Sequence, residues 1–162
     1  MSTTPLRVLL VEDNLADARL IEHYLKESRD SNFEVKHVMT AKEAEEKIGV
    51  EIRTRGEGSG GQGSGGGGDS GRAAETGWDI ILLDMGLPDM DPSLIVPWIL
   101  AKAPTVPVVV LSGQSDGEVA VRAVREGAQD YLVKGRIDTE VLYRSIRYAV
   151  ERKRVDVALR QS

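Results

Sequence analysis

Short apolar runs that stop abruptly at charged or polar residues recur along the chain. Leu6 to Val11 ends at Glu12, and Ile80 to Leu83 ends at Asp84. A run of this kind predicts a strand that is buried on both faces. Further strands are predicted for Phe33 to Val38, for Val106 to Leu111 and for Asp130 to Val133.

The segments between these strands carry apolar residues at helical spacing. Ala18, Ile21 and Leu25 lie on one side of a first helix. Thr40 and Glu43 fit a capping box at the start of a second helix. Two more helices are predicted around Leu94 to Ile99 and Ala120 to Gly127, and a last one begins after Asp138. Pro97 lies inside the third helical pattern, so that helix is expected to be short, kinked or late in starting.

The order strand then helix therefore occurs five times. Alternating units with buried strands predict an α/β fold, in which a parallel sheet is covered by helices on both faces. Such a doubly wound sheet binds ligands at the carboxyl ends of its strands, near the point where the strand order reverses.

One segment interrupts this pattern. Ten of the 17 glycines fall between Gly56 and Gly71, and most of the other residues there are serine or polar. Such a sequence predicts a flexible insert, over about residues 55–73, between the second helix and the third strand. Gly58 to Gly63 matches a dinucleotide-binding glycine pattern by letter, but it lacks the preceding strand and following helix that this function requires.

Composition narrows the range of functions. The chain has 162 residues, a formal net charge of -5, two histidines and no cysteine. Disulfides and cysteine- or histidine-rich metal sites are excluded, and a mildly acidic chain offers no electrostatic footprint for nucleic acid or an anionic membrane. We expect a cytoplasmic protein, because the sequence has neither a membrane-spanning run nor a signal peptide.

The residues at the predicted strand ends form a chemical group. Glu12 and Asp13 follow the first strand, Asp84 the third, Ser112 the fourth and Lys134 the fifth. Each pair of like charges in contact costs roughly 4 kcal/mol at an effective dielectric constant of about 20. One lysine cannot balance three carboxylates, and Mg²⁺ suits a site of few carboxylates plus phosphate oxygens. One carboxylate could then act as a nucleophile and form an acyl phosphate.

Four motifs carry a resemblance to a known family. They are Leu10-Val11-Glu12-Asp13-Asn14, Leu82-Leu83-Asp84-Met85-Gly86-Leu87-Pro88-Asp89, Leu111-Ser112-Gly113 and Tyr131-Leu132-Val133-Lys134-Gly135. In this order they resemble the receiver domain of two-component response regulators, over about residues 5–150. The resemblance implies a flavodoxin-like five-stranded sheet of order 2-1-3-4-5.

The resemblance also implies a role for each motif residue. Asp84 would be the phosphoacceptor, and Mg²⁺ would bind to Glu12, Asp13, Asp84 and the backbone carbonyl of Gly86. Lys134 would bind the phosphoryl group, and Ser112 and Tyr131 would form the conformational switch. The phosphoryl donor would be a histidine kinase or a phosphotransfer protein. The domain would catalyse only its own phosphorylation and slow dephosphorylation, so it would not be an enzyme in the usual sense.

Two other functions are weighed against this one. A phosphohydrolase with an aspartate nucleophile needs a second aspartate two residues later, where this chain has Gly86. A degenerate receiver, acting as a phosphorylation-independent binding module, would have lost some of the acidic pair, Asp84 and Lys134, and all of these are present.

The carboxyl end predicts a further feature. Residues 1–150 are expected to form the receiver domain, and residues 151–162 a helical extension of it. Glu151 to Arg154 continues the last helix with strong helix formers. We expect this extension to join the domain to a second copy or to a downstream output domain.

Overall fold

The computed structural model describes residues 5–28, 32–57, 77–113 and 117–161. Within these ranges, five strands alternate with five α-helices, and a 3₁₀ turn follows the last strand. The elements are β1 (Leu6–Val11), α1 (Leu15–Glu27), β2 (Phe33–Val38), α2 (Ala41–Glu57), β3 (Ile80–Asp84), α3 (Pro92–Lys102), β4 (Val108–Ser112), α4 (Gly117–Glu126), β5 (Asp130–Val133), the turn Lys134–Arg136 and α5 (Thr139–Gln161).

The strands form one parallel sheet of order β2-β1-β3-β4-β5. In the register of the central strands, Val8 lies beside Ile80 and Ile81 lies beside Val108. The α/β class, the five parallel strands and the predicted order 2-1-3-4-5 are confirmed. The strand order reverses between β1 and β3, and sheets of this kind bind ligands at that point, at the carboxyl ends of their strands.

Alternate residues of the strands supply the two halves of the core. Leu9 and Leu83 face α2, α3 and α4, whereas Leu10 and Leu82 face α1 and α5. All four side chains are fully buried. Burial on both faces explains why the central strands read as continuous apolar runs in the sequence.

The predicted helix starts are present. The Asp138 carboxylate accepts the amide of Val141 at 2.8 Å, and the Thr40 hydroxyl accepts the amide of Glu43 at 3.1 Å. These side chains satisfy amides that have no partner within their own helix.

Helix α3 continues through Pro97. It begins at Pro92, with Asp91 as its N-cap, and ends at Lys102, so the expected late start is excluded. Pro97 has no amide to donate to the carbonyl of Ser93, four residues earlier. The guanidinium of Arg122 on α4 donates to that carbonyl at 3.4 Å. A contact from the neighbouring helix thus replaces a bond that the proline removes.

Some boundaries differ from the sequence prediction. Strand β4 begins at Val108, two residues later than expected, because Pro107 has no amide for the ladder; its carbonyl still accepts the amide of Ile81. Helix α2 reaches Glu57 and so includes the first residues assigned to the insert. The rest of the predicted insert, from residue 58 onward, lies outside the described residues.

None of the helices described is both long enough and apolar enough to cross a membrane.

Candidate functional site

Three of the predicted site residues meet at the carboxyl edge of the sheet. The ammonium of Lys134 lies 2.6 Å from Oε2 of Glu12 and 3.2 Å from Oδ1 of Asp84. Glu12 follows β1, Asp84 ends β3, and Lys134 opens the 3₁₀ turn after β5. The parallel topology therefore brings together side chains that are up to 122 residues apart in the sequence, from 12 to 134.

A third carboxylate belongs to this group. Oxygen atoms of Glu12, Asp13 and Asp84 all lie within 4.8 Å of one another. Glu12 and Asp84 are buried, whereas Asp13 is half-buried at the rim. Oxygen donors at this spacing fit a hard divalent cation that keeps several of its waters, as Mg²⁺ does.

Burial shifts the titration of the two inner carboxyl groups. Removal from water raises the pKa of Glu12 to about 7, despite the opposing hydrogen bond from Lys134. Burial also raises the pKa of Asp84, against the positive charge of Lys134. Burial alone would lower the pKa of Lys134, but its hydrogen bonds to Glu12 and Asp17 and the nearby negative charges raise it. Because the negative charge exceeds the positive charge and the inner carboxyl groups are buried, this site fits a cation.

Backbone contacts fix the position of Glu12. Its Oε1 accepts the amide of Asn14 at 3.0 Å, and its own amide donates to the carbonyl of Val38. Nε2 of His37 donates to the Glu12 carbonyl at 2.7 Å, since a carbonyl can only accept. The end of β2 thus holds Glu12 in place, and His37 contributes one of the hydrogen bonds that do so.

Gly86 lies directly beside Asp84. Its backbone amide donates to the Asp84 carboxylate, which opposes the rise in the pKa of Asp84. A Cβ atom on Gly86 would lie 3.6 Å from Oδ2 of Asp84. The amide of residue 86 thus lies beside the carboxylate cluster, and its carbonyl as a metal ligand stays a prediction.

The two predicted switch residues occupy neighbouring strands. Ser112 ends β4 and pairs in register with Val133, one residue before Lys134. Tyr131 is half-buried on β5 and packs against the core on the side of α3 and α4. Ser112 thus lies at the edge that carries Asp84, and Tyr131 is set back from it along β5.

One contact of the site was not expected from the sequence. Oδ2 of Asp17 lies 3.1 Å from the Lys134 ammonium. The sequence assigns Asp17 only to the first turn of a helix, where the helix dipole favours a negative charge. Its spacing from Asn14, the N-cap of α1, was the available signal: a residue three positions after the cap lies on the first turn, near the carboxyl end of β1.

Several known proteins are similar to this chain in sequence. A family profile, the response regulator receiver domain, matches residues 70–147. The cell cycle transcriptional regulator CtrA of Caulobacter vibrioides is 30% identical over 129 residues, which are 80% of this chain and 44% of CtrA. The regulatory protein LuxO of Vibrio cholerae is 43% identical over 56 residues, which are 35% of this chain and 12% of LuxO. The chain spans less than half the length of these relatives.

Solved structures share the fold. The signal receiver domain of a putative LuxO repressor protein from Vibrio parahaemolyticus superposes with a TM-score of 0.65 at 24% identity, over 96% of this chain and 98% of that one. A putative response regulator from Chloroflexus aurantiacus gives a TM-score of 0.68 at 19% identity, over 91% and 99% of the two chains. The profile match identifies residues 70–147 as belonging to the receiver-domain family of two-component response regulators, and the strand order is that of the same fold.

Proposed function

We propose that this chain receives a phosphoryl group on Asp84 from a histidine kinase or a phosphotransfer protein, in a reaction that requires Mg²⁺. One observation carries the proposal: the buried Asp84 carboxylate lies within 4.8 Å of two further carboxylates and 3.2 Å from the ammonium of Lys134. A nucleophile, a cation site and a fixed positive charge are the groups that phosphoryl transfer requires.

The transfer would break one bond and form one bond. An oxygen of the Asp84 carboxylate attacks the phosphorus of a phosphohistidine, the P–N bond breaks, and its electron pair stays on the imidazole nitrogen. Lys134 and the hydroxyl of Ser112 would hold two of the phosphoryl oxygens. Mg²⁺, held by Glu12, Asp13, Asp84 and the carbonyl of Gly86, would offset the negative charge of the group.

The proposed switch follows from the same placement. A phosphoryl group on Asp84 would attract the hydroxyl of Ser112 on the neighbouring strand, and Tyr131 would turn inward into the space that this movement opens. Such a switch needs two discrete arrangements of a packed element. A structure of the beryllofluoride complex tests it, and an unchanged Ser112 loop with an unmoved Tyr131 would contradict it.

The phosphorylation itself has a direct test. Incubation with acetyl phosphate and Mg²⁺ should add the mass of one phosphoryl group, and Asp84→Asn should abolish the addition. Asp91→Asn is the matched control, because Asp91 is an exposed aspartate of the same loop and asparagine can still cap α3. Stoichiometric uptake by the Asp84 variant would refute the assignment, and no uptake by the unaltered chain would favour a phosphorylation-independent binding module.

The proposal extends to the chain ends and the partners. We assign residues 1–150 to the receiver and residues 151–162 to a helical extension that contacts a second copy or an output domain. The exposed Val155 and Leu159 support this role, and so do the greater lengths of CtrA and LuxO. A cytoplasmic location belongs to the same proposal, because receiver domains of this family usually act there.

A further inference from the structure

Lys134 contacts a carboxylate that does not come from the edge of the sheet. Asp17 projects from the first turn of α1 and reaches the ammonium at 3.1 Å, in both hydrogen-bonding and ion-pair geometry. The other two carboxylates on this ammonium, Glu12 at 2.6 Å and Asp84 at 3.2 Å, belong to the site already described. Three carboxylates therefore lie within 3.2 Å of one ammonium.

We propose that Asp17 is a positioning residue that competes with the phosphoryl group for Lys134 and thereby slows phosphorylation of Asp84. This inference rests on the proposed function, since it concerns the same reaction. Asp17 would touch neither the reacting oxygen nor the phosphoryl group, and it would act through Lys134.

The exposed fractions of the three side chains indicate which carboxylate leaves the Lys134 ammonium most easily. The side chains of Glu12 and Asp84 are 0% and 8% exposed, and that of Asp17 is 37% exposed. A carboxylate released from the ammonium must regain its hydration, which Asp17 can do with little rearrangement and Glu12 cannot. When a phosphoryl oxygen takes one of the ammonium's donors, Asp17 is the partner that leaves.

The negative charge of Asp17 should also slow phosphorylation. The Asp17 carboxylate offsets part of the positive charge of Lys134. That charge would otherwise attract the phosphoryl donor, which is an anion. Among the described residues, the carboxylates with metal-ligand spacing are Glu12, Asp13 and Asp84, so Asp17 weakens the attraction without contributing a ligand to the cation. Removing this charge should favour the approach of the donor.

A structural role for Asp17 makes a different prediction. Asp17 lies in the first turn of α1, where a negative charge stabilises the helix slightly. Its backbone amide is already satisfied by Oδ1 of Asn14. If stabilising the helix were its whole role, Asp17→Asn would lower the melting temperature slightly and leave the phosphorylation rate unchanged.

The test compares initial rates of phosphorylation by acetyl phosphate at saturating Mg²⁺, followed by intact mass. Asp17→Asn should raise the rate about three- to fivefold at low ionic strength, the upper part of the range expected of one partly exposed charge contact. The gain should shrink as salt is added, because exposed charges are screened. Asp17→Glu keeps the charge and should return the rate to within about twofold of the unaltered chain.

Glu22→Gln is the matched control, because it removes one negative charge from the same helix five residues further along. Its rate should stay close to that of the unaltered chain. A rate for Asp17→Asn equal to that of the control, or lower, overturns the inference. Asp84→Asn, combined with each variant, separates the two proposals: phosphate uptake that survives it refutes the phosphoacceptor assignment, whereas uptake that depends on Asp84 but ignores Asp17 refutes only this inference.

Discussion

Asp89 accepts the backbone amide of Ala41 at 2.8 Å, although 48 residues separate the two in the sequence. Its second oxygen accepts the amide of Lys42 at 3.0 Å. The loop that follows Asp84 thus supplies a cap for the first turn of α2, in addition to the local cap from Thr40. The hydrogen bond from the Ala41 amide is the main reason that the pKa of Asp89 is lowered.

Asp89→Ala should lower the free energy of unfolding by about 1 kcal/mol at neutral pH, the usual effect of losing a helix cap. Because the folded-state pKa of Asp89 lies below its unfolded value of about 3.8, this stabilisation is present above that pH and is lost as the pH falls through the folded pKa. Urea denaturation between pH 3 and pH 7 measures it. Glu46→Gln, an exposed carboxylate on the same helix, is the control, and an equal effect of both variants would contradict the capping role.

The effect of Mg²⁺ on stability should depend on pH. The pKa of Glu12 is raised from 4.5 to about 7, so without a cation the free energy of unfolding should fall as the pH rises from 4.5 through 7. Mg²⁺ held by the deprotonated carboxylates of the folded chain, as proposed, should therefore raise the melting temperature more at pH 8 than at pH 5. Asp13→Ala should remove this gain. A gain that is the same at both pH values would exclude Glu12 as a ligand.

Replacing Lys134 should show how strongly the site depends on one positive charge. Lys134→Met leaves Glu12 and Asp84 buried without their ammonium. It should therefore lower the free energy of unfolding by about 3 kcal/mol at pH 8. The loss should be smaller at pH 6, where Glu12 binds a proton. Adding Glu12→Gln to Lys134→Met should recover part of the loss at pH 8, and a double-mutant cycle measures this coupling. Strict additivity of the two changes would contradict the pairing.

Replacing each of two glycines by alanine should change the free energy of unfolding in opposite directions. Gly127 has a φ of +121°, and a Cβ atom there would lie 2.7 Å from Cδ1 of Leu100, so Gly127→Ala should cost about 2 kcal/mol. Gly49 lies within α2 and has open space around its Cα, so Gly49→Ala should stabilise the chain by up to about 1 kcal/mol. Thermal denaturation measures both changes. A shift of the two melting temperatures in the same direction would contradict the difference between the two backbone positions.

Truncation should separate folding from assembly. The buried side chains of α5 end at Val150, and Tyr148, Val155 and Leu159 are exposed. A chain of residues 1–150 should therefore keep its phosphorylation and melt within a few degrees of the full chain. Sedimentation equilibrium should show weaker self-association of the truncated chain and of a Val155→Ser, Leu159→Ser variant. An unfolded truncated chain would move the domain boundary beyond residue 150.

The sheet and most of the site could be predicted from the sequence because they depend on periodic or local signals. Apolar runs that end at Glu12, Asp84 and Lys134 give both the strands and the residues at their ends. The contacts of Asp17 and Asp89 could not be predicted, because each joins a loop or helix end to a partner 117 or 48 residues away. The same holds for Arg122, whose bond to the Ser93 carbonyl depends on how two helices pack.

Arg7 shows how the chain re-enters the sheet after the glycine-rich segment. Its guanidinium lies over the ring of Trp78 at 4.5 Å and donates to the carbonyl of Gly77, while its own amide donates to Asp79. Three consecutive residues are thus attached to β1 immediately before β3 begins. Each doubling of the length of a flexible connection costs only about 0.6 kcal/mol. Insertions or deletions between α2 and Gly77 should therefore leave the strand register that places Asp84 unchanged. A change in the length of this connection at the amino edge of the sheet should therefore leave the chemistry at the opposite edge undisturbed, and a reporter domain could be inserted there.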